Sequence, residues 1–434
     1  MRAVSFVDRI QFQFNGNICK DAIALADVDN DGCHELTVGN VQGDLAIFRE
    51  TANWPWAVAS DLGMISSITV GDVVNEKKNF LICISGEGWC NIFNVPPKRD
   101  FPQEEQKKKL QPFHTQRIPA NTKSCLLADI DGDGEVELVI CLTDRVLRTY
   151  RWVKLPHSSS SDFKGKLVGL HKWEFPNQIG GISINTTPEG STFLLAAQPG
   201  GSYVKLECSA SLLDTADENL ENSSIASKLT PECHPLASCR TQNPSISCEI
   251  IGGVCGTRDG QHVTSLLSIA TLDGTLMLVD QDEILWALQV DHQLFCLTKL
   301  DIIRDGKEEI IACAWDGQTY IVNQDCQSVR FHFEEPVCTF TAGYYSISLN
   351  QTVPCFVYAT FSNRLYLYHG VQLPAIRTTN LFEVMKQDPE QETMLNLLDI
   401  DKTNISSQQA LYHWCLYGEP TELNTEVKEE GNIT

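Results

Sequence analysis

The sequence predicts an all-β fold, a seven-bladed β-propeller followed by a short C-terminal α-helical extension. Three observations carry this reading. A unit of apolar strand, polar turn, second strand, two-residue turn and third strand recurs seven times along the 434 residues. The two-residue turns align from copy to copy, and a column of mostly small residues stands at a fixed offset before them. Repeats of roughly 40–50 residues built from short strands are the mark of four-stranded sheets arranged radially.

The opening stretch VSFVDRIQFQF alternates, with Phe6, Ile10, Phe12 and Phe14 on one side of a strand. It precedes the first complete repeat and has no partner there, so it is expected to close the ring against the last blade. Blade 1 reads AIALADVDNDGCHELTVGNVQGDLAIF, blade 2 ISSITVGDVVNEKKNFLICISGEGWCNIF and blade 3 KSCLLADIDGDGEVELVICLTDRVLRTY. Blade 4, the weakest copy, reads IGGISINTTPEGSTFLLAAQPGGSYVKL, and blade 5 IIGGVCGTRDGQHVTSLLSIATLDGTLMLV. Blades 6 and 7 are LFCLTKLDIIRDGKEEIIACAWDGQTYIV and FTAGYYSISLNQTVPCFVYATFSNRLYLY.

The turn pairs are Gln42-Gly43, Glu87-Gly88, Asp144-Arg145, Gly200-Gly201, Asp273-Gly274, Asp316-Gly317 and Ser362-Asn363. Gly, Asn and Asp dominate them because they tolerate positive φ in a two-residue hairpin. Four positions before the second member stand Gly39, Ile84, Cys141, Ala197, Ala270, Cys313 and Ala359, six of them small. Such a column is expected where strands converge near a crowded axis. Cys141 and Cys313 then serve as compact apolar fillers.

The propeller is expected over residues 1–372. Polar, Ser- and Pro-containing segments near 96–117, 154–177 and 208–247 interrupt the repeats and read as loop insertions. Across 373–418 the period turns helical: Leu381, Val384 and Met385, then Met394, Leu397 and Leu398, then Leu411 and Trp414, with Ser406 as a helix start. Leu381, Leu397, Leu398 and Trp414 are the candidate partner-binding residues of this segment. Residues 419–434 read as a disordered acidic tail.

A formal charge of −23 argues against nucleic acid and anionic lipid as direct partners, since both call for clustered Lys and Arg. No run of about 20 apolar residues is present, so no membrane insertion is expected. MRAVSFVDRIQFQFNG holds no apolar segment of signal-peptide length. The 17 cysteines are odd in number and form no CxxC pair, which together with that opening points to a reducing compartment.

The acid-rich turns carry the main pattern with metal chemistry, since Cys233, His234 and Cys239 fall short of the four spaced ligands of a zinc site. Asp27, Asp29, Asp31 and Glu35 occupy positions 1, 3, 5 and 9 of a loop with Gly32 at its bend. Asp129, Asp131, Asp133 and Glu137 repeat that spacing around Gly134. Alternate carboxylates on a tight loop can converge on a hard cation, so both loops are read as Ca²⁺ sites, with no cofactor required elsewhere. Blade 6 keeps Asp301, Asp305 and Glu309 but has Ile303 between them, and blade 2 keeps Asp72 and Glu76 alone. Because each loop lies inside one blade, the acids read as structural and not catalytic.

These loops resemble the FG-GAP repeats of integrin α-subunit propellers, whose calcium loops have the form D-x-D-x-D-G-x-x-[DE]. RIPANTKSCLLADIDGDGEVELV, TLDGTLMLV and VDHQLFCLTKLD with EEIIACAWDGQTYIV are similar, more narrowly, to the intracellular integrin-alpha FG-GAP repeat-containing family that supplies a subunit of the KICSTOR complex. The resemblance implies a non-catalytic scaffold working with kaptin and the other KICSTOR subunits. It implies tethering of the GATOR GTPase-activating assembly to lysosomes and negative regulation of amino-acid and glucose signalling to TOR complex 1. The implied location is cytoplasmic, peripheral at the lysosomal membrane through the complex, with the nucleus left open. A metal-dependent propeller enzyme and an extracellular calcium-dependent adhesion module are the alternatives.

Overall fold

A computed structural model describes residues 2–6, 8–97, 108–155, 164–187, 190–208, 232–234, 245–258, 261–281, 283–349, 351–373, 391, 393–394 and 405–418. The chain divides into two compact units, Met1–Leu373 and Pro374–Thr434. The first is the propeller. In the second, α1 (Ile405–Tyr417) ends at Gly418, whose φ of 68° lets its N–H return to the Trp414 carbonyl at 2.8 Å. A glycine in the left-handed region is the common way to satisfy a last helical carbonyl.

Strands β1 (Arg2–Ala3) and β2 (Arg9–Phe12) open the chain. Blade 1 is β3 (Ile23–Ala26), β4 (Glu35–Gly39), β5 (Leu45–Phe48) and β6 (Ala57–Ala59); blade 2 begins with β7 (Ile65–Gly71), β8 (Phe80–Ser85) and β9 (Trp89–Phe93). The chain then returns to the edge of blade 1 as β10 (Lys108–Lys109) before β11 (His114–Arg117) completes blade 2. Blade 3 is β12 (Thr122–Ala128), β13 (Glu137–Leu142), β14 (Val146–Lys154) and β15 (Gly165–Glu174). Blade 4 is β16 (Ile182–Thr186), β17 (Thr192–Gln198), β18 (Ser202–Leu206) and β19 (Glu232–His234). Blade 5 is β20 (Cys248–Arg258), β21 (Gln261–Thr271), β22 (Thr275–Asp280) and β23 (Glu283–Gln289). Blade 6 is β24 (Leu294–Leu300), β25 (Glu309–Ala314), β26 (Gln318–Val322) and β27 (Ser328–His332). Blade 7 is β28 (Val337–Ser348), β29 (Gln351–Thr360) and β30 (Leu365–His369).

Blade 7 takes its fourth strand from the start of the chain. β2 runs antiparallel to β30 with Ile10 opposite Leu367 and Phe12 opposite Leu365, the closure the alternating N-terminal stretch predicts. Two further edge strands go beyond that expectation: β1 lies parallel to β27, and β10 parallel to β6.

The insertions are narrower than the sequence suggests. Within 96–117 lie β10 and β11, within 154–177 lies β15, and within 208–247 lies β19, each hydrogen-bonded to its blade. Outermost strands need few apolar residues because one face and one edge meet solvent. HTQR in β11 shows the alternating exposure of such an edge.

The apolar core is a ring of inter-blade layers. Second strands β4, β8, β13 and β25 are buried at every residue, since both faces meet a neighbouring blade. In β13, Leu138 and Ile140 pack with blade 2, whereas Val139 and Cys141 pack with blade 4. The small-residue column lies here and not at the axis. Cys141, Ala197, Ala270, Cys313 and Ala359 all face the following blade, and a Cβ added to Gly39 would stand 2.6 Å from the Ile65 side chain of blade 2. The spacing between blades therefore selects small side chains at this register.

Candidate functional site

The first turn of each blade joins its innermost strand to the second, and in blades 1 and 3 this turn holds the acidic loop. In blade 1 the Asp27 carboxylate accepts the N–H groups of Asp31 at 3.2 Å and Gly32 at 2.9 Å. Asp29 accepts from Asp31 N–H and Asp31 from Cys33 N–H, at 3.2 and 2.8 Å. Glu35, the first residue of β4, reaches back to accept the Val28 N–H at 3.1 Å. Gly32 has a φ of 85°, a conformation that L side chains rarely adopt, and so permits the bend. Blade 3 repeats the scheme: Asp129 accepts from Gly132 and Gly134, Asp133 from Glu135, and Glu137 from Ile130.

Each loop also holds an arginine that the acidic spacing does not reveal. Arg49, just beyond β5, is buried; its Nη1 lies 2.8 Å from Asp29, its Nη2 is paired with Asp31, and its Nε stands 3.4 Å from Glu35. Its guanidinium also sits over the Trp56 ring, 5.3 Å from the centroid. In β14, Arg151 bonds Glu137 through Nε at 2.7 Å and meets Asp131 at 3.2 Å, Asp133 at 2.8 Å and Glu135 at 3.4 Å. Burial pushes the Glu35 carboxyl up to about 8 and that of Glu137 to about 7, against the pull of a backbone N–H and the arginine.

Asp27, Asp29 and Glu35 do come together, as do Asp129, Asp131 and Glu137, with ligand atoms within 4.8 Å of one another in each group. Ca²⁺ calls for six to eight oxygens around one point. Here the inward oxygens of Asp29, Asp31 and Glu35 face a guanidinium instead, and the outward ones accept backbone N–H groups. In blade 3 the Arg151 guanidinium likewise occupies oxygens of Asp131, Asp133 and Glu137. In blade 6, Asp301 accepts from Gly306, Asp305 from Lys307 and Glu309 from Ile302, each at 2.9 Å.

Within the ring, Lys20, Asp21, Lys123 and Glu249 line a cavity of about 250 Å³, reached by residues of all seven blades. Acids therefore converge on the channel as well as in the acid-rich turns. Lys20 pairs with Glu249 at 2.5 Å, and Lys123 Nζ donates to the carbonyls of Ile179 at 3.0 Å and Gly180 at 2.6 Å. Burial pushes the Asp21 carboxyl up. Two lysines and two acids balance, and the lysine contacts tie separate blades to one another. Lys20-Asp21 directly precedes β3 and Glu249 lies in β20, yet nothing in their local spacing relates them.

At the end of the ring formed by the second turns, Trp315, Pro336 and Phe361 are exposed side by side on blades 6 and 7. Val337 N–H donates to the Trp315 carbonyl and Phe361 N–H to the Pro336 carbonyl, at 2.8 and 3.2 Å. Asp316 follows Trp315 and Glu334 lies two residues before Pro336, both exposed, and Glu335 is paired to Arg364 at 2.9 Å. Of the helical-segment candidates, Trp414 lies on α1 and is 53% exposed, while Leu381, Leu397 and Leu398 lie outside the described residues. Among the described residues no helix is long and apolar enough to cross a membrane.

The propeller is similar in fold to the BBS1N chain crystallised with ARL6DN (TM-score 0.57, 12% identity, 88% of this chain and 100% of that one). It is also similar to Chaetomium thermophilum Raptor (TM-score 0.54, 11% identity, 86% of this chain and 29% of that one). A Mus musculus protein named KICSTOR complex protein ITFG2 is 37% identical over 430 residues, covering 96% of each chain. A Bos taurus protein of the same name is 37% identical over 400 residues, 90% of this chain and 75% of that one. The family model described as integrin-alpha FG-GAP repeat-containing protein 2 matches residues 49–373. The chain belongs to the integrin-alpha FG-GAP repeat-containing protein 2 family.

Proposed function

We propose that the chain is a non-catalytic scaffold subunit of a KICSTOR complex. The observation that carries the proposal is the 37% identity, over 96% of both chains, with a protein bearing that complex's name. In this reading it works with kaptin and the other KICSTOR subunits to hold the GATOR GTPase-activating assembly at lysosomes. The outcome is restraint of TOR complex 1 when amino acids or glucose run short. The geometry supports a scaffold: the acids of blades 1 and 3 are engaged by arginine and backbone N–H groups, and the channel lysines are engaged by Glu249 and by carbonyls. Trp315, Pro336 and Phe361 supply an apolar surface for another subunit.

The test is affinity capture of the tagged chain from cells, with mass spectrometry of what co-purifies, in fed and amino-acid-starved states. Recovery of kaptin and the remaining KICSTOR subunits is expected, together with loss of lysosomal GATOR when the chain is deleted. Capture without any KICSTOR subunit refutes the assignment. Capture with them, but with GATOR still at lysosomes after deletion, refutes the tethering role alone.

A further inference from the structure

We propose that Arg49 and Arg151 are built-in cations that take the place of Ca²⁺ in the loops of blades 1 and 3, so that both loops close without the metal. The strand register supplies an argument independent of the contacts themselves. Leu36 pairs with Phe48 and Leu138 with Tyr150, and the next residue along the third strand is Arg49 in one blade and Arg151 in the other. In blades 2 and 6 the equivalent pairs are Leu81 with Phe93 and Ile310 with Val322, and the next residues are Asn94 and Asn323. Each of the four stands twenty-two residues after the first aspartate of its own loop.

Arginine is thus present where the loop carries the full acid set and absent where that set is reduced. Blade 2 has Val74 and Phe80 in place of acids at the third and ninth positions, and blade 6 has Ile303 at the third. The cation and the carboxylates that need it occur together, within one chain, at two sites separated by a hundred residues.

Chemistry favours arginine for the task. Several carboxylates held within a few ångströms repel unless positive charge lies among them. A planar guanidinium offers five donors in a fixed fork and stays charged at all working pH. Arg151 uses all three nitrogens on Asp131, Asp133 and Glu137. Arg49 spreads over Asp29, Asp31 and Glu35 and is covered by Trp56. A loop neutralised this way keeps its shape whatever the calcium concentration, which an ion-dependent loop of low affinity cannot do.

The experiment compares melting of the full chain in EDTA and in millimolar CaCl₂, with MgCl₂ as control. The wild type should melt at the same temperature in all three. Arg49→Asn and Arg151→Asn, each installing the residue found in blades 2 and 6, should melt lower in EDTA and recover by several degrees in calcium but not magnesium. Folded variants that ignore calcium would show that the arginines do not stand where an ion could. Should neither variant fold, calcium titration of the wild type decides. Binding heat that disappears in Asp131→Asn overturns the proposal, and its absence upholds it.

Discussion

Ile10 faces Leu367 across the seam where the two ends of the propeller chain meet, in an antiparallel pairing that runs from Arg9–Tyr368 to Phe12–Leu365. The ring is held shut by four residues of strand and by what their side chains bury. Phe12 is 3% exposed, with its ring 4.6 Å from Phe48 of blade 1 and 6.4 Å from Tyr345 of blade 7. The seam is therefore cemented on both sides by one side chain.

Phe12→Ala should destabilise the propeller by about 3–5 kcal/mol, the range for emptying a buried aromatic site. Ile10→Val, which keeps shape and strand propensity, should cost about 1 kcal/mol. Chemical denaturation followed by circular dichroism reads both. Equal, small effects would mean that β2 is a loose strap and that the ring closes by other contacts.

A tighter constraint sits between blades 4 and 5. A Cβ added to Gly180 would lie 1.8 Å from the Cys248 carbonyl oxygen, and Gly180 N–H already donates to the Ala197 carbonyl at 2.9 Å. Backbone on both sides leaves nothing soft to give way. Gly180→Ala should therefore reduce soluble yield and lower the melting temperature. Gly190→Ala, at an exposed turn with nothing within 4 Å, should lose only the modest strain of its positive φ. A Gly180→Ala protein as stable as wild type would contradict the close approach.

Much of this architecture can be read from the sequence, and the failures have a common cause. The seven repeats and their tight turns are local patterns, and each maps to a strand pair in the ring. The N-terminal strand is legible because a strand without a partner in its own repeat must find one elsewhere. Outer strands such as β10 and β11 are not, because KK and HTQR contain no apolar residue and owe their places to backbone pairing. The direction of the small-residue column is likewise hidden, since spacing cannot say which neighbour a strand face meets. Arg49 and Arg151 escape notice for another reason. They belong to the loops in space but lie in or just after third strands, and only alignment of whole blades brings them beside the acids.

The channel contact between Lys20 and Glu249 spans from the segment before blade 1 to blade 5. Glu249→Gln leaves Lys20 in the cavity beside Asp21 with a neutral partner. A charged hydrogen bond is worth about 1.5–3 kcal/mol, so this variant should lose on the order of 1–2 kcal/mol after allowance for solvent in the channel. The double variant Lys20→Met with Glu249→Gln should recover part of that loss. Additive single effects would show the two residues to be uncoupled.

His171 in β15 supplies a pH dependence with a definite sign. Its ring stacks on Trp173 at 5.1 Å and its Nδ1 lies 3.1 Å from the Thr149 hydroxyl. Burial lowers its pKa below the usual 6.5, with Arg151 adding to the effect and Asp131 opposing it. The folded state thus prefers the neutral ring, so the unfolded chain binds the extra proton between the lowered value and 6.5. This contribution to stability is complete above about pH 6.5 and is lost as the pH falls through the folded pKa. The stability gap between wild type and His171→Gln should therefore shift in favour of the variant from pH 7.5 to pH 5. A gap independent of pH would mean that the imidazole does not change its protonation on unfolding.

Trp315 and Phe361 on the propeller, and Trp414 on α1, are exposed aromatics that scaffolding can use, Trp315 also stacking on Phe295 at 5.8 Å. Buried aromatic anchors dominate protein interfaces, and truncating one typically costs 2 kcal/mol or more, roughly thirtyfold in affinity. Trp315→Ala combined with Phe361→Ala should leave the propeller folded, with a modest fall in melting temperature from the lost Trp315–Phe295 stacking, yet weaken co-purification of the KICSTOR subunits proposed as partners. Trp414→Ala asks the same of α1 separately, because it lies in the second compact unit. If the double variant retains every subunit and Trp414→Ala loses them, docking belongs to the helical segment. Retention by both, with folding intact, would place the contact surface on neither aromatic site.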